Sequence, residues 1–224
     1  MATARALIAI DAEALRTRSR ADFVFDSLRD AISDGRIAVG ERVREEEIAR
    51  DLGVSRTPVR EALQRLHQRG LLVLGAGRGL VVAELGQYQV LQLYAMREIL
   101  EGSAARFAAK HANATDVAIL YRLQKELADA KPDATLLVTL NRRFHQAIYE
   151  AAHNQYLMQT LNMLHDSFAL LYNATFRVPS RRSESDEEHR RIVAAIETRD
   201  PDAAEEAARA HIRQAQRTRF EGGG

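Results

Sequence analysis

EEEIARDLGVSRTPVREALQRLHQRG, residues 45–70, decides the reading of this chain. Ile48, Ala49 and Leu52 put an apolar stripe on a first short helix, and Gly53-Val54 supplies a tight reversal. A second helix then opens with Ser55, Arg56, Thr57 and Pro58. Proline lacks an N–H and is tolerated in a first helical turn, so the helix must start within a residue or two of Ser55, with Ser55 or Thr57 as its cap. Arg56 and Arg60 share one face of that helix. Two guanidiniums four residues apart on the first turns of the second helix suit a recognition helix reaching base edges in the major groove of DNA.

Working outward, Leu71 to Leu74 and Leu80 to Val82 are short β-prone runs separated by Gly75-Ala76-Gly77-Arg78-Gly79, which reads as a hairpin wing. Upstream, Phe23, Val24, Leu28 and Ile32 recur at helical spacing between about Ser19 and Gly35 and complete the small core of a winged helix-turn-helix. The alternative for Arg56, Arg60, Arg65 and Arg69 is the solvated face of an amphipathic helix. Four arginines with one acid, Glu61, between Ser55 and Gly70 favour DNA.

The run from Leu28 to Val82, and GVSRTPVREAL within it, closely resembles the DNA-binding domain of GntR-type bacterial transcription regulators. The resemblance implies that Arg56 and Arg60 read guanine edges while Ser55, Thr57 and the wing residues Arg78 and Gly79 serve the backbone or minor groove. Some members carry a DNA-contacting Arg near the position of Glu46; here Arg44 is the residue that could replace it.

The chain has 224 residues, 46% hydrophobic and 6% aromatic, enough for one or two mostly helical domains. A net charge of +1 is far from diagnostic of a nucleic-acid binder, so any basic surface must be local. No apolar run approaches 18 residues, and Ala6 to Ile10 is too short for a signal peptide, so a cytoplasmic protein with no membrane contact is expected. With no cysteine, disulfides and thiolate ligands are excluded. Residues 1–16 have no defined role, and Gly222 to Gly224 form a tail.

From Tyr88 onward β signals vanish. Helices are expected over about Gln87–His111, Thr115–Ala130, Asp133–His153, Asn154–Phe176, Pro179–Thr198 and Pro201–Phe220, with Thr115-Asp116 and Asp200 as caps. The expected fold is therefore mainly α: a winged helix-turn-helix in residues 1–84 and an all-α, six-helix antiparallel bundle in 85–224.

The bundle half resembles the FCD ligand-sensing domain of the FadR subfamily in its six-helix, VanR-like form. The resemblance rests on Tyr94 to Glu101, on Asn141-Arg142-Arg143-Phe144-His145, on Glu188-His189-Arg190 and on Ala210-His211-Ile212. It implies a divalent ion held by Asn141, His145, His189 and His211, beside a small organic or sugar acid. Relatives often carry Asp where Asn141 stands, and an amide oxygen is the weaker ligand.

The residues point the same way. Asn141 and His145 are one turn apart on one helix face, and His189 and His211 lie on later helices that can converge in a bundle. Three imidazoles and an oxygen suit Zn or Ni better than Mg or Ca. Arg97, amid apolar neighbours, wants a carboxylate. That partner is Glu101, four residues on, or the acid of an effector, in which case Arg97 and Glu101 belong to the effector site.

The expected function is a homodimeric transcription regulator, a repressor, binding a palindromic operator under control of the acid. Two alternatives stand beside it. One is a bundle that only dimerises. The other is a His-metal hydrolase, disfavoured because no HExxH or comparable catalytic spacing occurs and because it leaves the DNA-binding half unexplained.

Overall fold

The computed structural model describes residues 19–33, 35–77, 79–175 and 179–221. Their contacts divide the chain into two compact units, the described residues of 1–85 with 166–171, and those of 86–165 with 172–224. Arg78, residues 1–16 and the terminal glycines lie outside the described residues.

In the first unit α1 (Arg20–Ser33) is followed by β1 (Arg42–Val43), α2 (Glu45–Asp51), α3 (Arg56–Gln68), β2 (Leu72–Gly75) and β3 (Gly79–Val82). The strands form an antiparallel sheet in the order β1-β3-β2, with Leu72 opposite Val82, Gly75 opposite Gly79 and Arg42 opposite Val81. The two-strand wing thus gains a third strand, β1, that the sequence reading lacked. Phe23, Val24, Leu28 and Ile32 of α1 pack with Val59, Ala62, Leu63 and Leu66 of α3 and with Leu71, Leu72 and Val82. The turn between α2 and α3 passes through Gly53 at φ 62°, a left-handed conformation that costs a glycine little. Ser55 is the residue before α3 but makes no side-chain capping bond, and Thr57 is inside the helix. Pro58 stands third in α3, where its missing N–H has no intrahelical partner to lose.

The rest of the described chain is helical: α4 (Gln87–His111), α5 (Ala114–Asp129), α6 (Ala134–Ala151), α7 (Gln155–Thr175, of which 166–171 count with the first unit), α8 (Pro179–Glu197) and α9 (Pro201–Glu221). The starts are chemically marked. Asn113 Oδ1 accepts from the N–H groups of Thr115 and Asp116, and Asp116 Oδ2 accepts from the Asn113 N–H. The cap of α5 is therefore Asn113, and Asp116 closes its capping box rather than starting the helix with Thr115. Asp133 Oδ1 caps α6 through Leu136 N–H, and Asp200 caps α9 through Ala203 N–H.

Small residues let α4 and α9 approach closely. Ala104, Ala105 and Ala108 on α4 and Ala204 and Ala208 on α9 are buried, and a Cβ on Gly102 would fall 2.8 Å from Arg209 Cγ. The buried stripe of α4 runs Val90, Tyr94, Arg97, Glu101, Ala104, Ala108. Two opposite charges therefore sit in the middle of an otherwise apolar face. No described helix is long and apolar enough to cross a membrane.

Candidate functional site

Two places gather the chemistry: the exposed face of α3 in the first unit and a buried imidazole cluster in the second. On α3, Val59, Ala62, Leu63 and Leu66 face the core, which turns Arg56, Thr57 and Arg60 outward to solvent. Both arginines meet an acid of α2. Arg56 Nε donates to Glu45 Oε1 at 2.7 Å, while Arg60 donates to the same carboxylate through Nη2 at 3.0 Å and Nε at 3.2 Å. Arg56 Nη1 also lies 3.2 Å from Glu46 Oε1. Bonds from Arg60 and Arg56 hold the Glu45 carboxyl below its ordinary pKa. Arg44 pairs with Glu47 at 2.9 Å.

Arg65 of α3 and Arg69, which follows its last residue, serve the domain itself. Arg65 donates to Asp22 at 2.6 Å, and the Arg65 and Arg69 guanidiniums lie 4.5 and 4.8 Å from the Phe25 ring centroid. Gly79 pairs with Gly75 at the turn end of the wing, and a Cβ there would come within 2.8 Å of the Arg42 guanidinium. Across residues 19–85 eleven arginines stand against eleven acids, so this surface is basic only locally.

In the bundle His145, His189 and His211 converge from α6, α8 and α9, each offering one nitrogen within 4.8 Å of the others, all buried. Two of the three imidazoles are held by matching chains of charge. Arg97 Nε donates to Glu101 Oε1 at 2.7 Å, and Glu101 Oε2 lies 2.7 Å from His145 Nδ1. Arg181 grips Glu188 through Nη1 at 2.8 Å and Nη2 at 2.6 Å, and Glu188 Oε2 lies 2.6 Å from His211 Nδ1. An ionised carboxylate only accepts, so in His211, which is hydrogen-bonded to Glu188, Nδ1 carries the proton and Nε2 is left with its lone pair, whereas Glu101 Oε2 meets His145 as a close charge contact and makes no hydrogen bond. Burial opposes the Glu101 charge, but Arg97 and His145 outweigh it and hold its pKa well below the carboxylate range.

His189 has no such support. Neither of its nitrogens finds a hydrogen-bond partner among the described residues, and the Phe144 ring lies 4.4 Å away. Burial, and then the neighbouring His211, His145 and Arg181, push its pKa well below the ordinary histidine value; burial, His145 and Arg181 do the same for His211. Asn141 Oδ1 and His145 Nε2 are likewise buried without a hydrogen-bond partner. A set of orphaned buried acceptors is expensive, and neutral imidazoles with free lone pairs fit a divalent cation. The cluster could hold a metal ion. The sequence reading named the three histidines and Asn141 but missed Arg181, whose only signal was its placement seven residues before Glu188 on one helix face.

A cavity of 280 Å³ between α5, α6 and α8 is lined by Leu127, Ala128, Leu137, Arg182, Ser183, Ser185 and Asp186. Leu137 precedes Asn141 by four residues on α6 and Ser185 precedes His189 by four on α8, so each of these two lining residues stands about one helical turn, about 5.4 Å of rise, from a residue of the cluster. Arg182 donates to Ala128 O at 2.9 Å and to Ala130 O, closing the end of α5. Asp186 accepts from Gln124 at 2.6 Å.

A winged helix-turn-helix followed by a helical bundle with a buried polar centre defines a DNA-binding regulator with a separate helical domain. Profile comparison agrees: residues 20–82 match the bacterial regulatory proteins of the gntR family, and residues 92–214 match the FCD domain. The chain belongs to the GntR family of transcription regulators, of the FCD-containing type, and is not an enzyme. It is 35% identical over 184 residues to the probable D-xylose utilization operon transcriptional repressor of Paenarthrobacter nicotinovorans, covering 81% of this chain and 80% of that one. It is 31% identical to the Glc operon transcriptional activator of Escherichia coli K12, over 86% of this chain and 85% of that one. Among solved structures, E. coli McbR/YncC superposes with a TM-score of 0.84 at 25% identity, covering 92% of this chain and 99% of that one.

Proposed function

We propose that this regulator is a homodimeric repressor whose hold on a palindromic operator is set by a small hydroxylated or sugar acid bound beside a divalent ion in the bundle. The observation that carries the reading is the imidazole cluster with its orphaned acceptors. His145, His189 and His211, assisted by Asn141, would hold the ion, with Zn or Ni best suited to three nitrogens and a neutral oxygen. Glu188 fixes the His211 Nε2 lone pair, and Glu101 sets its charge against His145 Nδ1. Such an ion supplies an electrophilic centre for oxygen ligands.

Charge balance then selects the effector. Arg97 against Glu101 and Arg181 against Glu188 cancel, an imidazole that ligates a metal does so in its neutral form, and a divalent ion would then leave the centre with two positive charges. An anion completes it. Arg97 and Glu101 act on the acid through the cluster, and the polar wall of the adjoining cavity, Ser183, Ser185 and Asp186, suits hydroxyl groups. Of the two relatives, one is named a probable D-xylose utilization operon repressor and the other a Glc operon activator, so both are named for operon control and the first carries the repressor reading.

In the first unit Arg56 and Arg60 read guanine edges, with Arg44, Ser55, Thr57, Arg78 and Gly79 on backbone or minor groove. One recognition helix reads too few base pairs for selectivity, so a two-fold dimer on half-sites of one duplex face follows. Effector binding acts only through different affinities for the operator-bound and free states, so the coupling is reciprocal.

The test is elemental analysis of purified protein before and after chelation, with operator binding measured against a panel of aldonic and hydroxy acids with and without Zn. The expected result is a stoichiometric divalent ion and an acid whose effect on DNA binding disappears with His189→Ala and His211→Ala. Absence of metal together with an unchanged acid response in those variants would refute it.

A further inference from the structure

Among the described residues Glu45 is the acid that bridges both Arg56 and Arg60 on the exposed face of α3. It takes Arg56 Nε at 2.7 Å and both Nη2 and Nε of Arg60, at 3.0 and 3.2 Å, across the turn between α2 and α3. Its side chain is only 20% exposed, whereas those of Arg56 and Arg60 are 57% and 68% exposed. The carboxylate is thus seated against the domain while the guanidiniums project from it.

An exposed arginine has many rotamers, and freezing it on a base edge costs entropy. Glu45 removes that freedom beforehand. Because it holds Arg56 by Nε, the Nη1/Nη2 end of that guanidinium points away from it, and that end can bond a guanine O6 and N7 together. Glu46 touches this end at 3.2 Å but is 76% exposed, so it can swing away where Glu45 is fixed.

We infer that Glu45 is a specificity-determining positioning residue: it orients Arg56 and Arg60 for base readout and at the same time cancels part of the charge that would bind any duplex. The inference rests on the base-reading role proposed above for the two arginines. Its consequence runs against simple electrostatics. Removing a negative charge from a DNA-facing surface should strengthen binding to all DNA; removing Glu45 should strengthen binding to random duplex but weaken binding to the operator. The surrounding composition agrees, since eleven arginines and eleven acids in residues 19–85 leave little non-specific attraction, and selectivity must come from directed contacts.

The experiment uses the full-length chain and two probes: a duplex selected from a randomised pool with the wild type, and a scrambled duplex of the same composition. Thermal melts establish that the variants are folded. Glu45→Ala is expected to bind the scrambled duplex two- to fivefold more tightly and the selected duplex about tenfold more weakly, and a repeat selection should return relaxed base preference at the arginine-read positions. Glu45→Gln, which keeps one acceptor oxygen, should recover part of the selected-duplex affinity. If Glu45→Ala tightens both duplexes alike, Glu45 is a repulsive acid or a competitive lock and the inference is overturned, while base reading stands. If instead Arg56→Ala and Arg60→Ala lose the two duplexes equally, base reading itself fails and takes this inference with it.

Discussion

The buried histidines give the bundle an acid sensitivity with a defined window. His189 and His211 have folded-state pKa values pushed well below the ordinary one by burial and by neighbouring positive groups. In the unfolded chain each titrates near about 6.5. Below that value the unfolded state binds protons that the folded state refuses, so stability is complete above it and falls as pH falls. An imidazole that stays neutral in the folded bundle down to pH 5 forfeits up to about 2 kcal/mol between high pH and pH 5, a sizeable share of the about 5–15 kcal/mol that typically holds a domain folded. Glu101 does not interfere: its lowered pKa gives stability that is present above about 4.3 and is lost only as pH falls further. Urea unfolding in chelator, followed by far-ultraviolet circular dichroism at pH 7.5, 6.5, 5.5 and 5, measures the loss. His189→Gln identifies the bundle transition and should roughly halve its pH dependence. A bundle transition flat between pH 6.5 and 5, or equally steep in His189→Gln, would refute the argument that these imidazoles are neutral and sealed from solvent.

Glu101→Gln keeps the size of the side chain but loses the charge that fixes the His145 ring, so Zn affinity in a competitive chelator titration should drop by about 10–100-fold. Asn113→Ala removes an acceptor serving two N–H groups and should cost the bundle about 1 kcal/mol in urea unfolding. Phe25→Ala should cost the first unit about 3–5 kcal/mol, because the ring is core and also the platform for Arg65 and Arg69; calorimetry should show the bundle transition unmoved.

How much of this was legible in the sequence depended on whether the cause was local. Gly53 and Pro58 punctuate the chain strongly enough to fix the helix-turn-helix, and the glycines from Gly75 to Gly79 announce the wing. Strand β1 is two residues long, too short for any period, and exists because Arg42 and Val43 meet Val81 and Leu80 from far along the chain. In the bundle, Arg97 and Glu101 are four residues apart on one helix, so their pairing was an open option from the start. Arg181 and Glu188 lie two turns apart and pass for solvated charges until α9 brings His211 against them.

The exposed face of α3 was the least legible. Counting charges between Ser55 and Gly70 finds one acid among four arginines and suggests a naked basic surface. The neutralising acids come from elsewhere: Glu45 eleven and fifteen residues upstream of the arginines it binds, and Asp22 forty-three residues before Arg65. The angle at which α2 crosses α3 decides whether Glu45 reaches both guanidiniums, and no period in the sequence encodes an angle. A helix-turn-helix recognised from its turn therefore says which residues can face DNA. Which of them stand ready to read it is settled by the acids that the crossing delivers.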